Sequence, residues 1–406
     1  MRRSNGFRPG QMVRDFRSRT LPRERTALAS WFWEIDRVLL SLIVVLIAVG
    51  LVAVAAASPV AAIDRSTSDV AVNPLIYFYR QLIWVGLGLP VMMVVSMLPK
   101  EQARRLAIWA TAIFIVCLLL VPVLGSTING ARRWIDLPGM RFQPSEFLKP
   151  VFIVTIAWLL SLRERDQNLP VMVLTGVLTG FVSLVLMGQP DFGQTVIFCA
   201  SWAALLLLAG ATMRVIGLLV AGAMGALIAT YMFYENGRQR INDFLGLGVK
   251  VDTGPDQTEL AYRTITNGGF IGVGPGGGQA KFRLPEAHTD YIFSVIGEEF
   301  GLLACITIAF LYLAIIVRVL MRLLDEEDMF TILAAAGLVT QFGMQAIINM
   351  GVNAQIFPSK GMTLPFISYG GSSMLALSMG VGLLLAFTRR NPFMDRRPRV
   401  VKWSGR

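Results

Sequence analysis

The segment Pro285-Glu286-Ala287-His288-Thr289-Asp290 carries the only histidine of the chain and an acid where an apolar helix must begin. An aspartate there can cap the helix by accepting from its first backbone N–H groups, which needs no chemistry. It can also take a proton from a bound hydroxyl, the work of a positioned carboxylate in general-base catalysis. The apolar run that follows includes Glu298 and Glu299. Carboxylates inside a membrane are costly, and they mark function by default. Helical spacing puts Asp290 and Glu298 on nearly one face, on the order of 12 Å apart along the axis. A line of acids is therefore expected to run inward from the surface, with Glu298 and Glu299 supporting Asp290.

A second set lies earlier, in Asn129-Gly130-Ala131-Arg132-Arg133-Trp134 and Gln143-Pro144-Ser145-Glu146-Phe147-Leu148-Lys149-Pro150. The paired Arg132 and Arg133 suit a phosphate or diphosphate, because guanidinium forks match oxyanions, and the Trp134 indole suits headgroup level. Pro144 and Ser145 read as a helix start. Glu146 and Lys149 stand three apart, hence side by side on that helix. They form either an ion pair at the membrane edge or part of a site. Asp191 sits in a tight turn, Gln189-Pro190-Asp191-Phe192-Gly193, where it is structural or supporting. Near the C-terminus, the stretch from Asn349 to Ser373 is apolar but broken by Pro and Gly, and it contains Lys360 and Ser372. Irregular backbone at membrane depth is tolerated only where it lines a cavity or is buried in protein. The glycines Gly268, Gly269, Gly272, Gly274, Gly276, Gly277 and Gly278 follow no βαβ pattern and are no dinucleotide fingerprint. They read as a flexible loop beside a substrate groove.

These residues need a frame, and composition supplies it. The chain has 406 residues, 54% of them hydrophobic and 16% charged, with mean hydropathy +0.60. Its apolar residues come in runs near the length that crosses a bilayer. The expected architecture is an all-α polytopic membrane protein of about ten helices, at 38–57, 78–98, 106–125, 145–162, 170–187, 193–210, 214–233, 290–321, 329–351 and 370–388. One long outer loop, about 234–289, separates spans seven and eight. The expected divisions are a basic tail at 1–36, a membrane domain at 37–390 and a second basic tail at 391–406. Cys117, Cys199 and Cys305 all fall in apolar runs and read as small buried hydrophobes. The first 37 residues hold nine arginines and no apolar core, so they read as a tail and not a cleaved leader.

Most of the 37 lysines and arginines fall on the N-terminal side of the membrane if both ends are placed inside. The net charge of +11 then belongs mainly to two cytoplasmic tails facing anionic lipid. Nucleic acid is not expected as a partner, because the tails lack a binding module. Cations kept outside against that bias, among them Arg132, Arg133, Arg141, Lys149 and Lys360, point to an anionic ligand at the outer face.

In order along the chain, GARRWI, QPSE with a lysine three on, QPDFG, LPEAHTD followed by a Glu-Glu pair, and LPFISYGGSS resemble the SEDS family (shape, elongation, division and sporulation). The likeness spans about 36–390, and Ala287 and Ser359-Lys360-Gly361 lean toward the division members rather than the elongation members. The resemblance implies a peptidoglycan glycosyltransferase acting on lipid II, with undecaprenyl diphosphate as leaving group. It implies Asp290 as catalytic base and Glu146 and Lys149 in the same cavity. It also implies a class B penicillin-binding transpeptidase and other division proteins as partners, at the septum of the inner membrane, with the active face periplasmic. On this reading Arg132, Arg133, Lys149 and Lys360 face the diphosphate, and Trp134, Glu146, His288 and Ser372 line the substrate. A divalent cation such as Mg2+ or Mn2+ could share the charge, but no spacing marks a metal site. A lipid II flippase, or a scaffold that only recruits a transpeptidase, would use the same spans differently.

Overall fold

Each apolar run becomes a helix because a backbone in hydrocarbon must satisfy its own N–H and C=O groups. The computed structural model describes residues 27–63, 72–128, 131–138, 140–233, 257–358 and 361–389, with Glu235, Arg238 and Asn242 between them. The chain divides into two units. The smaller comprises residues 1–35 and 389–406; in it lie α1 (Ala27–Glu34) and the ion pair of Arg389 with Glu34 at 3.3 Å. The larger unit, residues 36–388, holds all that follows.

Its helices are α2 (Arg37–Ile63), α3 (Ile76–Met97), α4 (Lys100–Leu124), α5 (Pro144–Ser161), α6 (Val171–Gly188), α7 (Phe192–Leu208), α8 (Met213–Phe233), the short α9 (Gln257–Asn267), α10 (Ile292–Leu323), α11 (Met329–Asn353) and α12 (Gly371–Thr388). Among the described residues nine helices are long and apolar enough to cross a membrane, and α7, at 17 residues, is the shorter tenth. The polytopic all-α architecture expected from the apolar runs is the one the chain adopts. The helices α5, α11 and α12 are mostly buried and form the middle of the bundle. Around them α3 packs on α12, α4 on α5, α7 on α11, and α2 on α10.

Polar groups mark the two ends. Asp36 opens α2 by accepting from the N–H groups of Val38 and Leu39 at 3.0 and 3.1 Å. It also pairs with Arg318, late in α10, at 2.8 Å. Arg322 Nε donates to the Thr388 carbonyl, at the end of α12, at 3.4 Å. The start of α2 and the ends of α10 and α12 therefore share one end of the bundle. The starts of α3, α5, α7, α10 and α12 lie at the other, which is where the chemistry-bearing motifs gather.

Three sequence expectations need correction. The stretch between the spans expected at 106–125 and 145–162, for which no element was expected, is folded: β1 (Ser126–Ile128), β2 (Ala131–Leu137) and β3 (Met140–Phe142) form an antiparallel sheet in that order. Its register sets Asp136 opposite Arg141, whose side chains meet at 3.6 Å.

The glycines after α9 are not a flexible loop. The helix α10 is broken at Gly301, with φ 80° and ψ 178°, a region open essentially to glycine alone. The break frees backbone groups, and the loop takes them up. Val273 and Gly274 donate to the Glu298 and Glu299 carbonyls at 2.9 and 3.0 Å, and Leu302 donates to the Gly269 carbonyl at 3.0 Å. A Cβ on Gly268 or Gly272 would overlap the backbone at Gly297–Glu298 or Glu299–Gly301 respectively. Of the three cysteines, finally, only Cys305 is buried; Cys199 is exposed and Cys117 intermediate.

Candidate active site

The helix α10 begins at Ile292, with Tyr291 at its cap, so Asp290 stands in the turn before it and caps nothing. That turn starts at Glu286, whose φ of 54° is left-handed; its carbonyl accepts from Thr289 and Tyr291 N–H at 3.1 and 3.3 Å. The turn is held from outside by its backbone. Asn349 and Asn353, one turn apart on α11, both donate to the Asp290 carbonyl, at 2.8 and 3.1 Å. Asn353 Oδ1 also accepts from Ser294 N–H and Oγ at 3.1 and 2.7 Å. Ser368 Oγ donates to the Thr289 carbonyl at 2.6 Å, and Tyr369 N–H to the His288 carbonyl at 3.0 Å. The His288 ring packs between Tyr77 and Tyr369, with centroids 4.5 and 5.6 Å away. These bonds fix the main chain, and among the described residues none engages the Asp290 carboxyl.

The carboxyl faces a cavity of about 1680 Å³. One wall is the sheet and the starts of α5 and α7, with Arg133, Trp134, Arg141, Glu146 and Gln194. The other is α3 and the start of α12, with Tyr77, Arg80, Trp84, Tyr369 and Ser372. Arg133 is anchored by donating to the Gln189 carbonyl at 3.3 Å and to that of Pro190, and its guanidinium lies 3.8 Å from Asp191. Burial pushes the Asp191 carboxyl above its ordinary range, against the pull of Arg133. Burial is also the first cause at half-buried Asp290, where it is joined by Glu286, Asp191 and Glu146 and opposed by Arg133; together they push the carboxyl up to about 7. A carboxyl poised there can exchange a proton near neutral pH.

The sequence candidates separate on this map. Asp290, Arg133, Trp134, Glu146, His288 and Ser372 line the cavity. Arg132 does not. Neighbours on a strand point to opposite faces, and Arg132 turns outward to Thr127 Oγ1 at 2.9 Å and the Pro122 carbonyl at 3.0 Å. Lys149 is 2% exposed and lies beneath the cavity; its Nζ donates to Glu146 at 2.9 Å and Gln345 at 3.1 Å. It pairs with Glu146, which also accepts from Gln194 at 2.6 Å, and it is not among the residues that line the cavity.

Glu298 and Glu299 are no line of acids leading from Asp290. Glu298 accepts from the backbone N–H groups of Gln279, Ala280 and Lys281 at 2.8–2.9 Å and from Asn267 at 3.1 Å. Glu299 pairs with buried Lys281. Both anchor the glycine loop. Asp191 holds Arg133, a structural role in the cavity wall. Lys360 lies outside the described residues. Among the described residues no group of three His, Cys, Asp or Glu side chains could hold a metal ion, so none is assigned a Mg2+ or Mn2+.

The sequence reading missed Arg80, and it put Asn349 and Asn353 in an irregular stretch, whereas they form the last turn of α11. The signal for Arg80 was a lone cation inside the apolar run Tyr77–Leu89. For the asparagines it was their spacing on one helix face.

A family model described as a cell cycle protein, FtsW/RodA/SpoVE, matches residues 36–392. A probable peptidoglycan glycosyltransferase FtsW of Caulobacter vibrioides is 35% identical over 375 residues, 91% of this chain and 93% of its own. One of Coxiella burnetii is 35% identical over 376 residues, 88% and 98% of the two chains. Among solved structures, a chain from a study of how a peptidoglycan synthase complex coordinates polymerization and crosslinking aligns with TM-score 0.69 and 27% identity, over 87% of this chain and 97% of its own. The rod shape determining protein RodA of Thermus thermophilus aligns with TM-score 0.64 and 26% identity, over 87% and 96%. With a match that runs through every span and the cavity they frame, the chain belongs to the FtsW/RodA/SpoVE family of cell cycle proteins.

Proposed function

We propose that the chain is a peptidoglycan glycosyltransferase that polymerises lipid II into glycan strands. The observation that carries this is a backbone-clamped aspartate, its carboxyl unengaged and pushed up to about 7, at the wall of a large cavity with an anchored arginine opposite. The 4-hydroxyl of an acceptor lipid II attacks the anomeric carbon of the donor strand's terminal sugar. Its proton passes to Asp290, the bond from the anomeric carbon to diphosphate oxygen breaks, and undecaprenyl diphosphate leaves. Arg133, fixed before substrate arrives, meets the charge that develops on the leaving oxygen. One base and no second carboxylate acting as nucleophile give a single displacement with inversion.

The reading continues to setting and partners. The relatives named FtsW, at 35% identity against 26% for RodA, support a role in septal synthesis during division. The solved synthase complex supports a class B penicillin-binding transpeptidase as partner, alongside other division proteins. The basic terminal segments support a reading with both ends in the cytoplasm, the spans in the inner membrane and the cavity on the periplasmic face. A lipid II carrier would need access from both ends of the bundle. The conspicuous polar residues sit at one end, whereas at the opposite end Asp36 pairs with Arg318 and Arg322 donates to the Thr388 carbonyl. The test offers the purified chain lipid II in detergent and in liposomes. Glycan strands in detergent support the polymerase; lipid II translocation with no strands supports the carrier instead.

A further inference from the structure

Three cations line the cavity: Arg133 and Arg141 on the side of the sheet, where Arg141 pairs with Asp136, and Arg80 on α3; Arg133 and Arg80 differ in their relation to Asp290. Arg133 is the principal cation acting on the Asp290 carboxyl. Arg80 is not among the principal charges acting on it, although it lines the same cavity from the first turns of α3. Arg80 is exposed and has no hydrogen-bond or ion-pair partner among the described residues. It is a lone cation at the mouth of an apolar crossing helix, where a charge persists only with a reason. The side chains Ile83, Trp84 and Leu87 line the cavity with it. These positions repeat at three and four residues, so they form one face of α3 running from Arg80 toward the middle of the membrane. Ile83 and Leu87 are 61% and 51% exposed along that face. A cation heading an apolar track is the complement of a phosphate heading a hydrocarbon chain.

The proposed reaction, on which this inference rests, involves two such molecules. The donor's diphosphate leaves from the reacting carbon, so its cation must sit close to the base. The acceptor's diphosphate is a disaccharide away from the attacking hydroxyl, so its cation must sit apart from the base. We propose that Arg80, with the Ile83–Trp84–Leu87 face of α3, seats the diphosphate and polyprenyl chain of the acceptor, while Arg133 serves the donor. Polymerisation then needs no exchange of roles between the poles within one transfer: each lipid diphosphate has its own cation.

The experiment separates the two substrates chemically. Lipid II whose 4-hydroxyl is capped with galactose can act only as donor, and ordinary lipid II supplies the acceptor hydroxyl. The first transfer from labelled, capped donor is measured while each substrate is varied in turn. Arg80→Ala is expected to raise KM for the uncapped acceptor about tenfold and leave that for the capped donor within about twofold, the loss of one charge-assisted contact. Arg80→Lys restores part of it. Leu87→Gln, at an exposed position, raises acceptor KM for the full polyprenyl chain but not for a lipid II analogue with a short chain. A donor KM raised by Arg80→Ala overturns the assignment. So does no change in either KM, which would mean that Arg80 meets only bilayer headgroups. Absence of any transfer by wild type would instead sink the polymerase reading itself.

Discussion

Asp290 is made reactive by where its turn puts it. Its carbonyl is tied to Asn349 and Asn353, its carboxyl is left to the cavity, and burial with nearby Glu286, Asp191 and Glu146 outweighs Arg133. A base works only when deprotonated, so polymerisation is expected to fall as pH drops through about 7. Glu286 is the largest charge raising the Asp290 pKa, so Glu286→Gln should move this acid limb of kcat/KM to lower pH. His288 lines the same cavity, and His288→Asn should retain the limb. A limb unmoved by Glu286→Gln and lost with His288→Asn would assign the titration to the histidine. At this scale residue type and spacing singled out Asp290, Glu146 and Arg133 as candidates, and the family resemblance put Asp290 and Glu146 in one cavity, where the structure has both in its lining. It could not separate Arg132 from Arg133, because that needs the strand that turns one out and the other in. Nor could it place Lys149 beneath the cavity, since helical spacing gives its neighbour Glu146 but not the Gln345 it meets from α11.

Among the elements, the broken α10 and the glycine loop form one device. The break at Gly301 leaves backbone groups that Gly269, Val273 and Gly274 satisfy, and Glu298 clamps the following turn at Gln279–Lys281. The loop leads directly into Pro285–Asp290, so its seat sets where the base stands. Gly268→Ala, whose Cβ would meet the Gly297–Glu298 backbone, should cost about 1–3 kcal/mol and lower the melting temperature. Gly180→Ala, with open space at its Cβ on α6, should melt like wild type, and equal melting of both variants would contradict the packed loop. The spans were legible because hydrocarbon thickness dictates the length of an apolar run. The sheet was not, because β1 and β3 have three residues each and carry no alternation to read. Packed glycines and flexible ones look alike in sequence. Only the backbone at Glu298 and Glu299 tells them apart.

The unit of residues 36–388 opens at one end into a cavity lined by α3, the sheet, the starts of α5 and α7, the turn before α10 and the start of α12. This arrangement suits a reaction at a membrane surface, with lipid tails beside the helices and sugars in the cavity. Its central claim is that Asp290 is the base of a polymerase. The direct measurement is lipid II polymerisation by wild type and Asp290→Asn in the presence of a transpeptidase partner inactivated at its serine, with thermal unfolding of both. A folded-state pKa raised from the ordinary 3.8 to about 7 means that stability falls as pH rises between those two values and that the full cost of the charged form is present above about 7. The asparagine removes that cost, so the variant should melt no lower than wild type at pH 8. We expect it to be folded and slower by about 10²–10⁴-fold, the worth of a general base. Strands made by the folded variant at the wild-type rate would contradict the account and leave Asp290 as a turn residue.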